Sequence, residues 1–224
     1  MDAGTRDDSK RRYVSPSREA GARRTRQAIV AAARELFAER GYAGASLATI
    51  AQAAGVARPT VAAAFGSKVE LLRVVLGEAL AGDDEPVPVA QRDWFQPVWD
   101  ADTGPEVIAA YADVCVLIGS RAARMFEVVR RAVDGNPAVA ELWETMKGNR
   151  RAGASMIVDR VVSLGHLRAD LDQGMAVDRL WILNDPALYE ALVLQRDWEH
   201  ETFRRWLAEL MTSQLVAGPG SAQA

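Results

Sequence analysis

The sequence predicts an all-α protein, and three observations carry that prediction. Apolar residues recur at spacings of three and four along most of the chain between residues 23 and 215, the period of a helix buried on one face. Capping residues and glycines stand at the ends of these patterns, where helices start and stop. No pair of segments alternates apolar and polar residues as half-buried strands would, and no internal repeat is visible.

The first helix is expected at about 23–40, with Ile29, Ala33, Leu36 and Phe37 on one face and Gly41 as a left-handed stop. A short second helix follows Ser46 as N-cap; Leu47, Ile50, Ala51 and Ala54 share its inner side and Gly55 ends it. The third occupies roughly 58–65, where Pro59 falls in the first turn and costs no intrahelical bond. Ser67-Lys68-Val69-Glu70 reads as a capping box opening a fourth helix, which runs through Leu72, Val75, Leu76 and Ala79 to Gly82.

The run from Gly82 to Pro88 cannot be helix interior, and Gln96-Pro97 reads as a second interruption. Thr103 to Glu106 is another capping box. Helical patterns then continue at about 104–119, 121–133, 137–164, 173–184, 186–195 and 198–215. Their breaks fall at 134–137, 165–170 and Asn184-Asp185-Pro186. Residues 1–22 read as a disordered basic arm and 217–224 as a disordered tail.

Composition narrows the function. The chain has 224 residues, 49% hydrophobic and 25% charged, in the range of soluble globular proteins. Its net charge of −3 hides an asymmetry: residues 1–73 hold 13 Lys/Arg against 7 Asp/Glu, the remainder 14 against 23. A front end of +6 on a body of −9 points one end toward a polyanion. The one cysteine, Cys115, cannot form an internal disulfide and lies in the apolar run Val114–Ile118, where it reads as a small buried hydrophobe. No secretory signal is visible, and the most apolar stretch, 107–119, is short and interrupted by Asp113. A cytoplasmic location without membrane contact is expected. His166 and His200 stand in no catalytic or metal-ligand spacing, and no glycine-rich phosphate loop occurs. An enzyme is therefore not expected, nor a metal or cofactor.

The informative stretch is Ser46 to Phe65, two short helices joined by a tight turn at Ala54-Gly55-Val56 with a longer helix on each side. Such a unit is a helix-turn-helix, whose second helix offers its outer face to a major groove. The run from Thr25 to Tyr42, then Ile50 to Val56, Arg58 to Val61, Phe65 to Lys68 and Leu71-Leu72 closely resembles the N-terminal domain of the tetracycline-repressor (TetR) family. The resemblance implies a helix-turn-helix DNA-binding domain over 23–70 and a helical ligand-binding and dimerisation domain over 71–216. It implies a transcriptional regulator, a repressor released from its operator by a small molecule; a helical protein–protein module without DNA binding is the alternative, which the basic front end disfavours.

At matching positions, Ser46 and Thr49 would approach the phosphate backbone at a helix N-terminus. Arg58 and Thr60 would lie on the exposed face of the recognition helix, Arg58 able to reach guanine. Lys68 would clamp a phosphate, and Arg23, Arg24 and Arg26 would add backbone or minor-groove contacts. One departure stands out. Where the family usually has a tyrosine, this chain reads Thr60-Val61-Ala62-Ala63-Ala64-Phe65. Ala62 removes a phosphate contact worth about 1 kcal/mol, while Ala62 and Ala63 suit thymine methyl groups.

In the body, two expectations follow. Trp181, Leu188 and Leu192, with Phe203, Trp206, Leu207, Leu210 and Met211 of the last helix, form apolar surface in excess of a terminal helix's needs and are assigned to a homodimer interface. A homodimer suits a pseudo-palindromic double-stranded operator. Trp99, Tyr111, Cys115, Met125, Phe126, Trp143 and Met146 are expected to line a pocket for an unidentified hydrophobic effector.

Overall fold

The computed structural model describes residues 16–217. Four helices build the front module: α1 (Pro16–Gly44), α2 (Leu47–Ala53), α3 (Arg58–Phe65) and α4 (Lys68–Ala81). Helix α1 starts at Pro16, seven residues ahead of the expected start, so 16–22 belong to a helix rather than to an arm. Residues 1–15 of that expected arm, and 218–224 of the tail, lie outside the described residues. The helical path of α1 is broken at Gly41 (φ 67°, ψ 178°), the position read as its stop. Gly55 takes φ 67° in the α2–α3 turn, a conformation that a side chain would strain.

Capping fixes where these helices begin. Ser46 Oγ accepts from the Thr49 amide at 3.1 Å while Thr49 Oγ1 accepts from the Ser46 amide at 3.0 Å, a reciprocal box. The box expected at α4 is only half made. Ser67 Oγ accepts from the Glu70 amide at 3.2 Å, but the Glu70 carboxylate turns to Arg73 instead.

The body follows. Two single 3₁₀ turns (Val89–Gln91 and Asp93–Phe95) lead into α5 (Gln96–Asp100), so Gln96-Pro97 opens a helix where an interruption was expected. Pro97 occupies the first turn, whose amides have no intrahelical partner. Then come α6 (Gly104–Ala132), α7 (Pro137–Ser163), α8 (Gln173–Leu183), α9 (Pro186–Tyr189) with a π turn over Glu190–Leu194, and α10 (His200–Leu215). Helix α6 runs unbroken through Gly119 and Ser120, where two helices were expected. Among the described residues there is no strand, only an isolated bridge between Leu167 and Val216.

Helix α6 is the axis of the molecule. Its C-terminal half, through Ala122, Met125, Phe126 and Val129, joins one continuous core with α1, α2, α3, α4 and the start of α7. Its N-terminal half, through Val107, Ile108, Tyr111 and Val114, joins a second core with α7, α8 and α10. The front module is therefore not an independent bead. Phe37, fully buried in the shared core, is a residue whose truncation costs about 3–5 kcal/mol.

Candidate nucleic-acid interface and effector cavity

On α3 only Val61 and Phe65 are buried. They anchor the helix to α1 and α4, and Arg58, Thr60, Ala62 and Ala63 remain on the exposed side. The outward surface is thus one guanidinium, one hydroxyl and a row of methyl groups. Ser46 is exposed at the start of α2, and its hydroxyl lies 3.1 Å from that of Thr49. Both hydroxyls serve the cap first, and Thr49 Oγ1 also donates to the Ser46 carbonyl at 2.8 Å.

The basic residues divide. Arg24 and Arg58 are exposed. Arg23 is bound to Asp84 and Glu85 behind α4, and the pairing raises its pKa further while holding Asp84 below the usual carboxylate range. Arg26 lies 4.5 Å over the Phe65 ring, with Nη1 donating to the Ala64 carbonyl at 3.4 Å, and so fastens α1 to α3. Lys68 Nζ donates to the Tyr42 carbonyl at 2.7 Å and sits 4.0 Å above the Tyr42 ring. Burial there pushes its pKa down.

The body holds a cavity of about 410 Å³ between α4, α6, α7, α9 and α10. Of the seven residues read as pocket lining, Tyr111, Cys115, Phe126 and Met146 face this cavity, and Trp99, Met125 and Trp143 do not. Trp99 stands behind the wall, stacked on lining residue Phe95 at 5.2 Å with its indole N–H on the Ala90 carbonyl. Met125, one helical step from Phe126, turns into the core shared with the front module, and Trp143 packs on that same core.

Sequence reasoning missed the cavity's polar end. Arg150 Nη1 donates to Asp185 Oδ2 at 2.6 Å and its Nε to Asn184 Oδ1 at 3.2 Å. Asn184 Nδ2 in turn donates to the Tyr111 hydroxyl at 2.9 Å. Asn184-Asp185-Pro186 was legible only as a helix break; its second role needs the fold. Leu80 of α4 also lines the cavity, which joins the front module's last helix to the site.

The expected dimer residues part company too. Phe203, Leu207 and Met211 are at most 2% exposed within the protomer, packed against α6, and Phe203 and Leu207 line the cavity. They are core, because the long α6 gives α10 a partner inside its own chain. Trp181, Leu188, Leu192, Trp206 and Leu210 are half-buried. Four of the five large apolar side chains most exposed among the described residues lie instead on α7 and α8: Met156, Val162, Met175 and Ile182.

Comparison with known proteins bears on both regions. Residues 29–75 match the family model described as bacterial regulatory proteins, tetR family. No curated protein sequence matches. Among solved structures, the chain is similar to native NalD, the secondary repressor of the MexAB-OprM multidrug efflux pump in Pseudomonas aeruginosa. That match has TM-score 0.66 at 22% identity and covers 87% of this chain and 98% of that one. It is also similar to the SmeT–triclosan complex (TM-score 0.68, 18% identity, 89% and 97% covered). FadR from Bacillus subtilis in complex with stearoyl-CoA gives TM-score 0.68 at 18% identity, with 84% and 98% covered. At these identities the structures establish a shared fold. The sequence likeness to the bacterial tetR-family model is confined to residues 29–75, within the front module, and the likeness of fold extends over most of the chain.

Proposed function

We propose that this protein is a transcriptional regulator, not an enzyme: a cytoplasmic homodimer that represses from a pseudo-palindromic operator and leaves it when a small effector enters the body. The observation that carries the reading is the outward face of α3, where Arg58, Thr60, Ala62 and Ala63 are exposed on a helix anchored by Val61 and Phe65. Arg24, Ser46 and Thr49 flank it as backbone contacts, and Lys68 keeps donors beyond its bond to Tyr42 for a phosphate. No helix among the described residues is long and apolar enough to cross a membrane.

Helix α4 supplies the linkage. Its first residue, Lys68, is fastened to Tyr42 in the front module, while Leu80 in its last turn lines the cavity. An effector that fits the cavity better in one position of α4 than another biases where the two recognition helices stand. The named relatives, one an efflux-pump repressor and two bound to small molecules, support this scheme. The dimer would form through the apolar side chains of α7 and α8.

Footprinting on DNA flanking its own gene tests the proposal. A protected, two-fold symmetric site is expected, with half-sites about one helical turn apart and affinity falling steeply with salt. Absence of protection, or binding indifferent to salt, would overturn it.

A further inference from the structure

Two charged side chains line the cavity, Arg150 and Asp185, and they pair with each other at 2.6 Å. The remaining guanidinium edges are occupied by the chain: Nε on Asn184 Oδ1 at 3.2 Å, and Nη2 on the Trp181 carbonyl at 2.7 Å. Its Cζ lies 5.6 Å over the centre of the Trp181 ring. Tyr111 and Cys115, at the same end, are neutral, since burial raises both and pushes the thiol up to about 12. The Tyr111 oxygen accepts from Asn184 Nδ2 at 2.9 Å, which leaves the phenolic proton as a donor, with the Cys115 thiol, a weak acceptor, one helical turn along α6. The other walls are mostly apolar, among them Phe95, Phe126, Met146 and Phe203; Asn149 adds an exposed amide, and Tyr189 a hydroxyl already paired with His200 Nε2 at 2.7 Å.

We infer that the effector is a neutral, mostly apolar molecule with a hydrogen-bond acceptor that takes the Tyr111 proton, because neither sign of charge finds an unpaired counter-charge in the cavity. The inference rests on the effector reading above. A charged ligand would lose its hydration to a site whose only ions already satisfy each other. At an interior packing density of about 0.74, the cavity volume of about 410 Å³ admits roughly 15–20 heavy atoms.

The test compares fluorescent probes of one skeleton: neutral N-phenylnaphthylamine, anionic anilinonaphthalene sulfonate, and a quaternary ammonium analogue. The neutral probe should bind roughly tenfold or more tightly than either ion. Asp185→Asn keeps the α9 cap, since Oδ1 accepts from the Ala187 amide, but strands the Arg150 charge. It should raise affinity for the anion about tenfold and leave the neutral probe within about twofold. Tyr111→Phe should weaken a naphthyl ketone about fivefold and leave N-phenylnaphthylamine, which has no carbonyl, unchanged.

Gly153→Leu, at a lining position whose added Cβ meets nothing within 4 Å, should displace every probe and so locate the binding. Equal or tighter binding of an ion, sensitive to Gly153→Leu, would overturn neutrality while leaving the effector reading intact. Failure of all probes in a protein that still binds DNA would overturn both.

Discussion

Arg23 and Asp84 join the start of the front module to the segment behind it: Arg23 Nη2 donates to Asp84 Oδ1 at 2.6 Å and Nε to Oδ2 at 3.0 Å, with Glu85 on the same guanidinium. The acidic run after α4 thus claims an arginine that its sequence offers to DNA. Gln27 reaches the same carboxylate at 3.3 Å.

The first prediction follows from that occupancy. Arg23→Ala alone should change the salt dependence of DNA binding little. In Asp84→Asn/Glu85→Gln, which frees the guanidinium, the slope of log affinity against log salt should steepen by about 0.9, one added phosphate contact. Asp84 is held below the ordinary value of about 3.9, so the pairing is present at neutral pH and lost only as pH falls through that depressed value. DNA affinity between pH 6 and 8, measured by anisotropy, should therefore not track this group. An identical slope in wild type and double variant would sink the idea.

The second concerns α3. Arg58→Ala should cost about 1–3 kcal/mol of operator affinity and relax preference at one base pair, if Arg58 reads guanine. The exposed Ala62 and Ala63 should make the site sensitive to thymine methyls, so replacing operator thymines singly by uracil should weaken binding at one or two positions. Ala62→Tyr should strengthen binding by about 1 kcal/mol through a phosphate contact. Uniform indifference to uracil would leave the alanines without a role in specificity.

The front module was legible because its signals are local: Ser46, Gly55, Pro59 and Ser67 each mark a helix end within four residues, and the observed ends fall there. The body was less so, because its decisive contacts link distant residues. Arg150 meets Asn184 and Asp185 across more than thirty positions, a relation no periodicity carries. The stripe of α10 has the same pattern whether it faces a second copy or α6, and only the fold decides that Phe203 and Leu207 are internal. Gly119 looked like a helix break because glycine is a poor helix former; its cause is a neighbour.

That neighbour gives the third prediction. A Cβ on Gly119 would stand 2.5 Å from Tyr189 Cγ, so α6 and α9 approach as closely as they do only over a glycine. Gly119→Ala should destabilise by about 1–3 kcal/mol, through overpacking rather than any change in helix propensity, which favours alanine. Thermal melts should show a fall of roughly 2–4 °C per kcal/mol. A variant as stable as wild type would mean that the ring yields freely.

The fourth separates effector binding from its consequence. Leu80 lines the cavity from the end of α4, two positions before Gly82, where the Arg121 guanidinium of α6 packs and lies 5.7 Å from the Trp94 ring. Leu80→Ala should leave probe binding within about threefold but remove most of a coupling that is typically about 1–3 kcal/mol. Titrating the neutral naphthylamine against operator-bound protein reads both quantities. Full coupling in Leu80→Ala would assign the linkage to another helix.

The fifth asks where two copies meet. Met175 and Ile182 of α8, seven positions apart and so on one face of that helix, are 55% and 58% exposed, whereas Leu207 and Met211 are nearly inaccessible. A charge on an exposed residue at a dimer core must be desolvated when copies associate, and costs the protomer little when apart. Met175→Glu/Ile182→Glu should therefore give a folded monomer by sedimentation, with unchanged helicity and lost operator binding. Leu207→Ala should do the opposite, lowering stability by about 2–5 kcal/mol without a specific effect on association. A dimer that survives the double charge, or one that dissociates with Leu207→Ala at full protomer stability, would return the interface to α10.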